Sequence, residues 1–182
     1  VTTHDDPPPA FQLPAALLSQ GYTLRPETED DTPFLFRLYA STREQELAQA
    51  IGWSAEQKLA FITQQFQAQR QHYRNFIPNC SYQVIEHDAV PVGRLYLEER
   101  VTQVHITDIV LLPEMRGNGA GTAMLKALIG FAHARGKGLG IFVEKFNPAL
   151  RLYRRLGFVE IGDSDVYLEM DCPVEATETP VS

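Results

Sequence analysis

Between the apolar run Ile109–Leu112 and a helical pattern beginning near Thr122 stands Arg116-Gly-Asn-Gly-Ala-Gly121, the stretch that most restricts the fold. A glycine-rich turn running from a strand into a helix leaves the first-turn N–H groups without intrahelical partners. Those groups point along the axis at its positive end, where negative charge is favoured. Gly117, Gly119 and Gly121 carry no Cβ to hold a ligand off the backbone. The stretch therefore reads as a phosphate-binding turn. The plainer alternative is a glycine-rich start to a helix that binds nothing.

Two familiar phosphate loops do not fit. A dinucleotide-binding G-x-G-x-x-G would need a third glycine where Thr122 stands, and a P-loop needs a following lysine that is missing. The pattern that fits is R-x-x-G-x-G, with Arg116, Gly119 and Gly121, directly after Pro113-Glu-Met115. Downstream, Met124, Leu125, Leu128, Ile129 and Ala132 make one apolar stripe of a helix over Thr122–Arg135, with Gly136 as its C-terminal cap. A short apolar strand, Leu139–Val143, follows. Asn147-Pro148 then reads as N-cap and first residue of a short helix that closes at Gly157. Asn147, Tyr153 and Gly157-Phe158 form a second motif, with Ala149 one place from its commonest position.

The two motifs, in this order and at this spacing, resemble those of the GNAT N-acyltransferase superfamily, over roughly residues 21–171. The resemblance implies an α/β (α+β) fold, a mixed central sheet with splayed strands flanked by helices. It implies acetyl-CoA as cosubstrate and no metal. Pantetheine would lie along Ile109-Val110-Leu111, whose backbone can pair with its amides as with another peptide. The pyrophosphate would meet Arg116, Gly117, Asn118, Gly119, Ala120 and Gly121, and Asn147 would bond the pantetheine arm while also capping its helix. Arg151, Arg154 and Arg155 either meet nucleotide phosphates or form a solvated face.

The chemistry sets further requirements. An attacking amine must be neutral, so an ammonium of pKa ~10 needs a base or a water chain leading to one. The leaving thiolate gains from a proton donor. Tyr153 matches the position that supplies this proton in many relatives; otherwise it is a packing aromatic beside Leu150 and Leu156. On the strands, Arg94, Tyr96 and Glu98 alternate with Leu95 and Leu97, and His105 and Thr107 alternate with Val104 and Ile106. If the polar faces coincide they make a polar floor beside the thioester. His105 is the first candidate for the base, having a suitable unperturbed pKa. Glu98 comes next and Asp108 after it, and an ordered water could replace all three. The resemblance assigns acceptor choice to the first two helices, the loop between them and the hairpin, here carrying Arg43, Glu44, Glu46, Trp53, Gln65, Tyr73 and Phe76. A small-molecule amine or a peptide N-terminus would serve as acceptor. The alternative to an enzyme is an inactive acyl-CoA-binding sensor or partner module, in which the Tyr153 hydroxyl would have no task.

At 182 residues and 44% hydrophobic, the chain can bury a core without staples. Its formal charge of −7 disfavours nucleic acid and anionic membranes as partners. Cys80 and Cys172 lack metal-ligand spacing and read as reduced thiols, which points to the cytoplasm. No segment has the pattern of a membrane span or a signal peptide. Residues 1–18, with Pro7-Pro-Pro9 and Pro14, read as an irregular arm, 19–172 as one domain and 173–182 as a flexible tail. Within the domain, Gly21–Pro26 reads as a strand, and Asp30, Asp31 and Thr32 cap a helix from Pro33 with Phe34, Leu35, Leu38 and Tyr39 inward. Ser54–Gln57 is a capping box ahead of a helix with Leu59, Ile62, Phe66 and Tyr73 inward. Three strands follow: Cys80–Glu86, Val92–Glu99 and Val104–Leu112, the first turn lying near His87-Asp88 and the second at Arg100–Gln103. The architecture also allows a homodimer.

Overall fold

The computed structural model describes residues 10–77 and 79–174. Seven strands form one sheet in the order β1-β2-β3-β4-β5-β7-β6: β1 is Tyr22–Pro26, β2 Cys80–His87, β3 Val90–Glu99, β4 Gln103–Leu111, β5 Gly138–Glu144, β6 Val159–Asp163 and β7 Tyr167–Cys172. Every neighbouring pair is antiparallel except β4 and β5. Among the described residues six α-helices accompany them: α1 (Ala15–Leu18), α2 (Thr32–Thr42), α3 (Glu44–Gln49), α4 (Ala55–Phe76), α5 (Ala120–His133) and α6 (Leu150–Arg155). This is the mixed α/β sheet with splayed strands that the motifs imply.

Alternation along β3 divides the molecule into two layers. Leu95 and Leu97 enter the main core, where Met124, Leu125, Leu128 and Ala132 of α5 cover them together with Leu139 and Ile141 of β5. Arg94 and Tyr96 point the other way, to α4. The α4 layer has its own apolar cluster, Leu35 and Tyr39 of α2 with Ile62 and Phe66 of α4. Polar groups dock that layer on the sheet. Glu27, buried after β1, meets Arg74 of α4 at 2.9 Å and Arg70 at 3.3 Å, and accepts from the Tyr96 hydroxyl. α4 starts as expected, since Ser54 Oγ accepts from the Gln57 amide and Gln57 Oε1 accepts from the Ser54 amide. Leu59, expected inward, is 59% exposed.

Residues 10–18 differ from the irregular arm expected of them. Ala15–Leu18 make a helical turn, and Phe11, Leu13 and Leu17 are buried in the main core, Phe11 edge-on to Phe131 of α5 at 5.3 Å. The prolines hid a spacing of apolar side chains that outweighs them. Residues 1–9 and 175–182, covering the rest of the expected arm and nearly all of the tail, lie outside the described residues. The first turn falls at Asp88-Ala89, both with positive φ, which suits a tight hairpin between β2 and β3.

Candidate active site

β4 and β5 run side by side from Gln103↔Gly138 to Ile106↔Ile141 and then part. Beyond that fork, Ile109, Val110 and Leu111 remain paired to Leu95, Arg94 and Gly93 of β3, so their other edge faces the gap. A cleft of about 730 Å³ opens there, with Ile109, Val110, Ile141 and Val143 in its walls. Leu111 turns its side chain into the core.

The glycine turn begins just after this edge. Arg116 Nε donates to the Leu111 carbonyl at 2.8 Å, tying the turn to the strand end. Gly117 and Gly119 adopt φ of +78° and +88°, a region that side chains resist, and nothing lies within 4 Å of where a Cβ would stand on either. The turn is thus an open cradle of backbone N–H groups at the head of α5. Asn118 is held by its side chain: Nδ2 donates to the Tyr22 hydroxyl at 3.0 Å and Oδ1 accepts from the Ala120 amide at 3.0 Å. Its side chain is thus fixed in place within the turn. α5 begins at Ala120, two residues earlier than the stripe suggests.

Asn147 lines the cleft, and its Oδ1 accepts from the Ala149 amide at 2.9 Å. The helix after it begins at Leu150, so Asn147 caps an intervening turn instead of the helix itself. Tyr153 also lines the cleft, packed edge-on against Phe158 at 5.4 Å. Burial, with the Asp108 charge adding to it, pushes its phenol up to about 12, so it holds its proton at neutral pH. Of the three arginines of α6, Arg154 is paired to Glu160 at 2.6 Å.

The polar floor exists, and one irregularity rearranges it. Tyr96 faces Asp108 while Leu97 faces Ile106, which leaves Thr107 as an extra residue in β4. Simple alternation from His105 would send Asp108 into the core. The bulge turns it onto the polar face, where it pairs with Arg94. Arg94 is only 2% exposed; it also donates to Gln69 Oε1 of α4 at 2.8 Å, and its Nε is buried without a partner. Glu98 is paired with Arg100 at 2.8 Å. His105 is 3% exposed, its Nδ1 lies 3.3 Å from Gln103 Oε1, and burial with help from Arg100 pushes its pKa down to about 4. The imidazole is therefore neutral at pH 7 and a poorer base than its unperturbed pKa promised.

Across the cleft, α2 and α4 contribute Tyr39, Thr42, Gln69, Tyr73 and Phe76, joined by Arg43 from the junction of α2 and α3. Arg43 reaches Glu144 at the end of β5, 3.4 Å away. Glu44, Glu46, Trp53 and Gln65 are not among the lining residues. Sequence reasoning put Arg94 on the polar floor without giving it a role, and it missed Gln69. Among the described residues, no cluster of His, Cys, Asp and Glu could hold a metal ion, and no helix is long and apolar enough to cross a membrane.

A mixed sheet that parts between two parallel strands, with a glycine turn at the end of the free edge, is the architecture that the two sequence motifs imply. The chain belongs to the acetyltransferase (GNAT) family, whose model matches residues 35–158. The PaiA N-acetyltransferase of Thermoplasma acidophilum, solved in complex with coenzyme A, superposes with a TM-score of 0.63 at 14% identity, covering 84% of this chain and 98% of that one. The ribosomal-protein-S18-alanine N-acetyltransferase of Escherichia coli gives 0.56 at 18% identity, covering 88% and 99%. In sequence, the chain is 34% identical to a streptothricin acetyltransferase of Streptomyces lavendulae over 37% of its own length. That match spans 44% of the Streptomyces protein.

Proposed function

We propose that the protein transfers an acetyl group from acetyl-CoA to a primary amine by direct attack within a ternary complex. The observation that carries this reading is the fork at Ile106/Ile141, with an unpaired β4 edge leading to an open glycine cradle. The residues suit the cosubstrate: the edge at Ile109–Leu111 for pantetheine amides, the amides of Gly117, Asn118, Gly119 and Gly121 for pyrophosphate, those of Arg116 and Ala120 being bonded within the turn, and Asn147 for the arm. Tyr153 then donates its proton to the departing sulfur and regains one from water. The new bond joins the amine nitrogen to the acyl carbon, the carbon–sulfur bond breaks, and the protons shed by nitrogen leave through water. His105, with its low pKa, and Glu98, paired to Arg100, are weaker candidates for that proton path than water itself.

The acceptor we infer is a small-molecule amine or a peptide N-terminus. The names of the relatives, which act on streptothricin and on an S18 alanine, span both. Charge in the cleft is balanced, Arg43 with Glu144, Arg94 with Asp108 and Arg100 with Glu98, so it offers no excess negative charge to favour a polycation. The thiols of Cys80 and Cys172, in no disulfide, fit a cytoplasmic setting. The test is calorimetric titration with acetyl-CoA, followed by a thiol-release assay across a pooled amine panel. Binding with amine-dependent release supports transfer. Binding without release from any amine supports the sensor alternative, and no binding refutes both.

A further inference from the structure

The Gln69–Arg94–Asp108 chain is an expensive construction for folding alone. Replacing a buried ion pair by packed apolar side chains is often neutral or stabilising. Yet here a guanidinium is buried under α4 with an unpartnered Nε. The carboxylate it holds lies immediately past the fork, on the cleft side only because Thr107 is extra. Asp108 keeps 17% of its side chain exposed while lining the cleft, and its charge is felt at both Tyr153 and Tyr73. A carboxylate has about four lone-pair sites, so one bond to Arg94 leaves room for another donor. Glu98 and Glu144 also line the cleft in ion pairs, but their partners Arg100 and Arg43 are 37% and 29% exposed where Arg94 is 2%, and His105 is neutral within the sheet.

We propose that Asp108 receives the acceptor's ammonium, and that Arg94, pinned by Gln69 of α4, is the positioning residue that holds it at the fork. The assignment rests on the acyl-transfer reading above. It makes α4 part of acceptor binding even where its side chains do not touch the acceptor, because Gln69 sets the guanidinium that sets the carboxylate. Deprotonation of the bound ammonium is left to water, and the site supplies orientation and a counter-charge.

The test uses the full chain saturated with coenzyme A, a dead-end complex, titrated calorimetrically with L-lysine, spermidine and phenylethylamine. Asp108→Asn is expected to weaken every amine that binds the wild type by about ten-fold or more, the usual loss for a charged hydrogen bond, with coenzyme A affinity unchanged. Gln69→Leu is expected to act in the same direction by about three-fold and to raise the KM for amine while sparing kcat. Arg94→Lys should retain more amine affinity than Arg94→Met, at equal coenzyme A affinity. Wild-type amine affinity in Asp108→Asn would overturn the assignment. So would an unaltered Gln69→Leu, a lysine variant no better than the methionine one, or a wild type that binds coenzyme A but none of the amines. Failure of the wild type to bind coenzyme A would overturn the acyl-transfer reading itself, and this assignment with it.

Discussion

Gly119 allows a paired substitution whose two effects separate. Its φ is +88°, and a Cβ built there meets nothing within 4 Å, so Gly119→Ala adds backbone strain without a clash. Left-handed backbone costs an L-residue about 1–2 kcal/mol. For a domain of this size that lowers Tm by about 2–8 °C. Gly119→Glu carries the same strain, but its carboxylate sits in an anion site at the head of α5, which returns about 0.3–1 kcal/mol. It should thus melt at or slightly above Gly119→Ala. Coenzyme A binding should reverse that order. A carboxylate about 5 Å from a phosphate repels it by about 1 kcal/mol in a watery surrounding and about 3 kcal/mol at an effective dielectric of 20. That is a loss of about five-fold to about two-hundred-fold, beyond any loss in the alanine variant. Calorimetry with coenzyme A and thermal melts of both variants make the test. Wild-type affinity in Gly119→Glu would refute the phosphate-cradle assignment, and an unchanged Tm in Gly119→Ala would refute the strain argument.

Tyr153→Phe keeps the ring against Phe158 and removes the proton donor, so coenzyme A affinity should hold while kcat falls, by about 10²-fold if the hydroxyl acts as general acid; an unchanged kcat returns the residue to packing alone. His105 should make the fold acid-sensitive: its folded pKa of about 4 lies below the ordinary imidazole value of 6.5, so stability is full above pH 6.5 and is lost as pH falls toward 4. The loss is about 3 kcal/mol, and urea titrations of His105→Gln should show a flatter profile across that window; the same slope in both proteins would contradict the assigned burial cost. Ser54→Ala removes the acceptor for the Gln57 amide and should cost about 1 kcal/mol, read as a Tm lower by about 2–4 °C with coenzyme A binding intact.

The strand, turn and helix around the glycine stretch were legible because their information is local. Glycines in a strand-to-helix turn and an apolar stripe act within a few residues and stand where expected, whereas the short helix expected to open at Pro148 opens at Leu150, with Asn147 capping the turn before it. The seating of Phe11 and Leu17 was not legible, because their partners in α5 lie more than a hundred positions away and the prolines between them spoke louder. The polar face of the hairpin was foreseen, but the order of candidates on it was not. The bulge at Thr107 has no glycine or proline to announce it, and it decides where Asp108 points. Likewise, no sequence period could tell that His105 would lie beneath Phe142, their rings 4.9 Å apart, and so lose its charge. The acceptor wall was the least legible part, since Gln69 meets Arg94 only once α4 has crossed the sheet.

The apolar cluster of α2 and α4 is separate from the core shared by α5 and the sheet, and largely polar contacts join the two. Changes on either side of that seam can therefore accumulate without disturbing packing on the other. On the acyl-transfer reading proposed above, a library confined to the outer helices, with Leu35, Tyr39, Ile62 and Phe66 kept, should change which amines are accepted while coenzyme A affinity holds. The seam divides what such a protein can change from what it must retain.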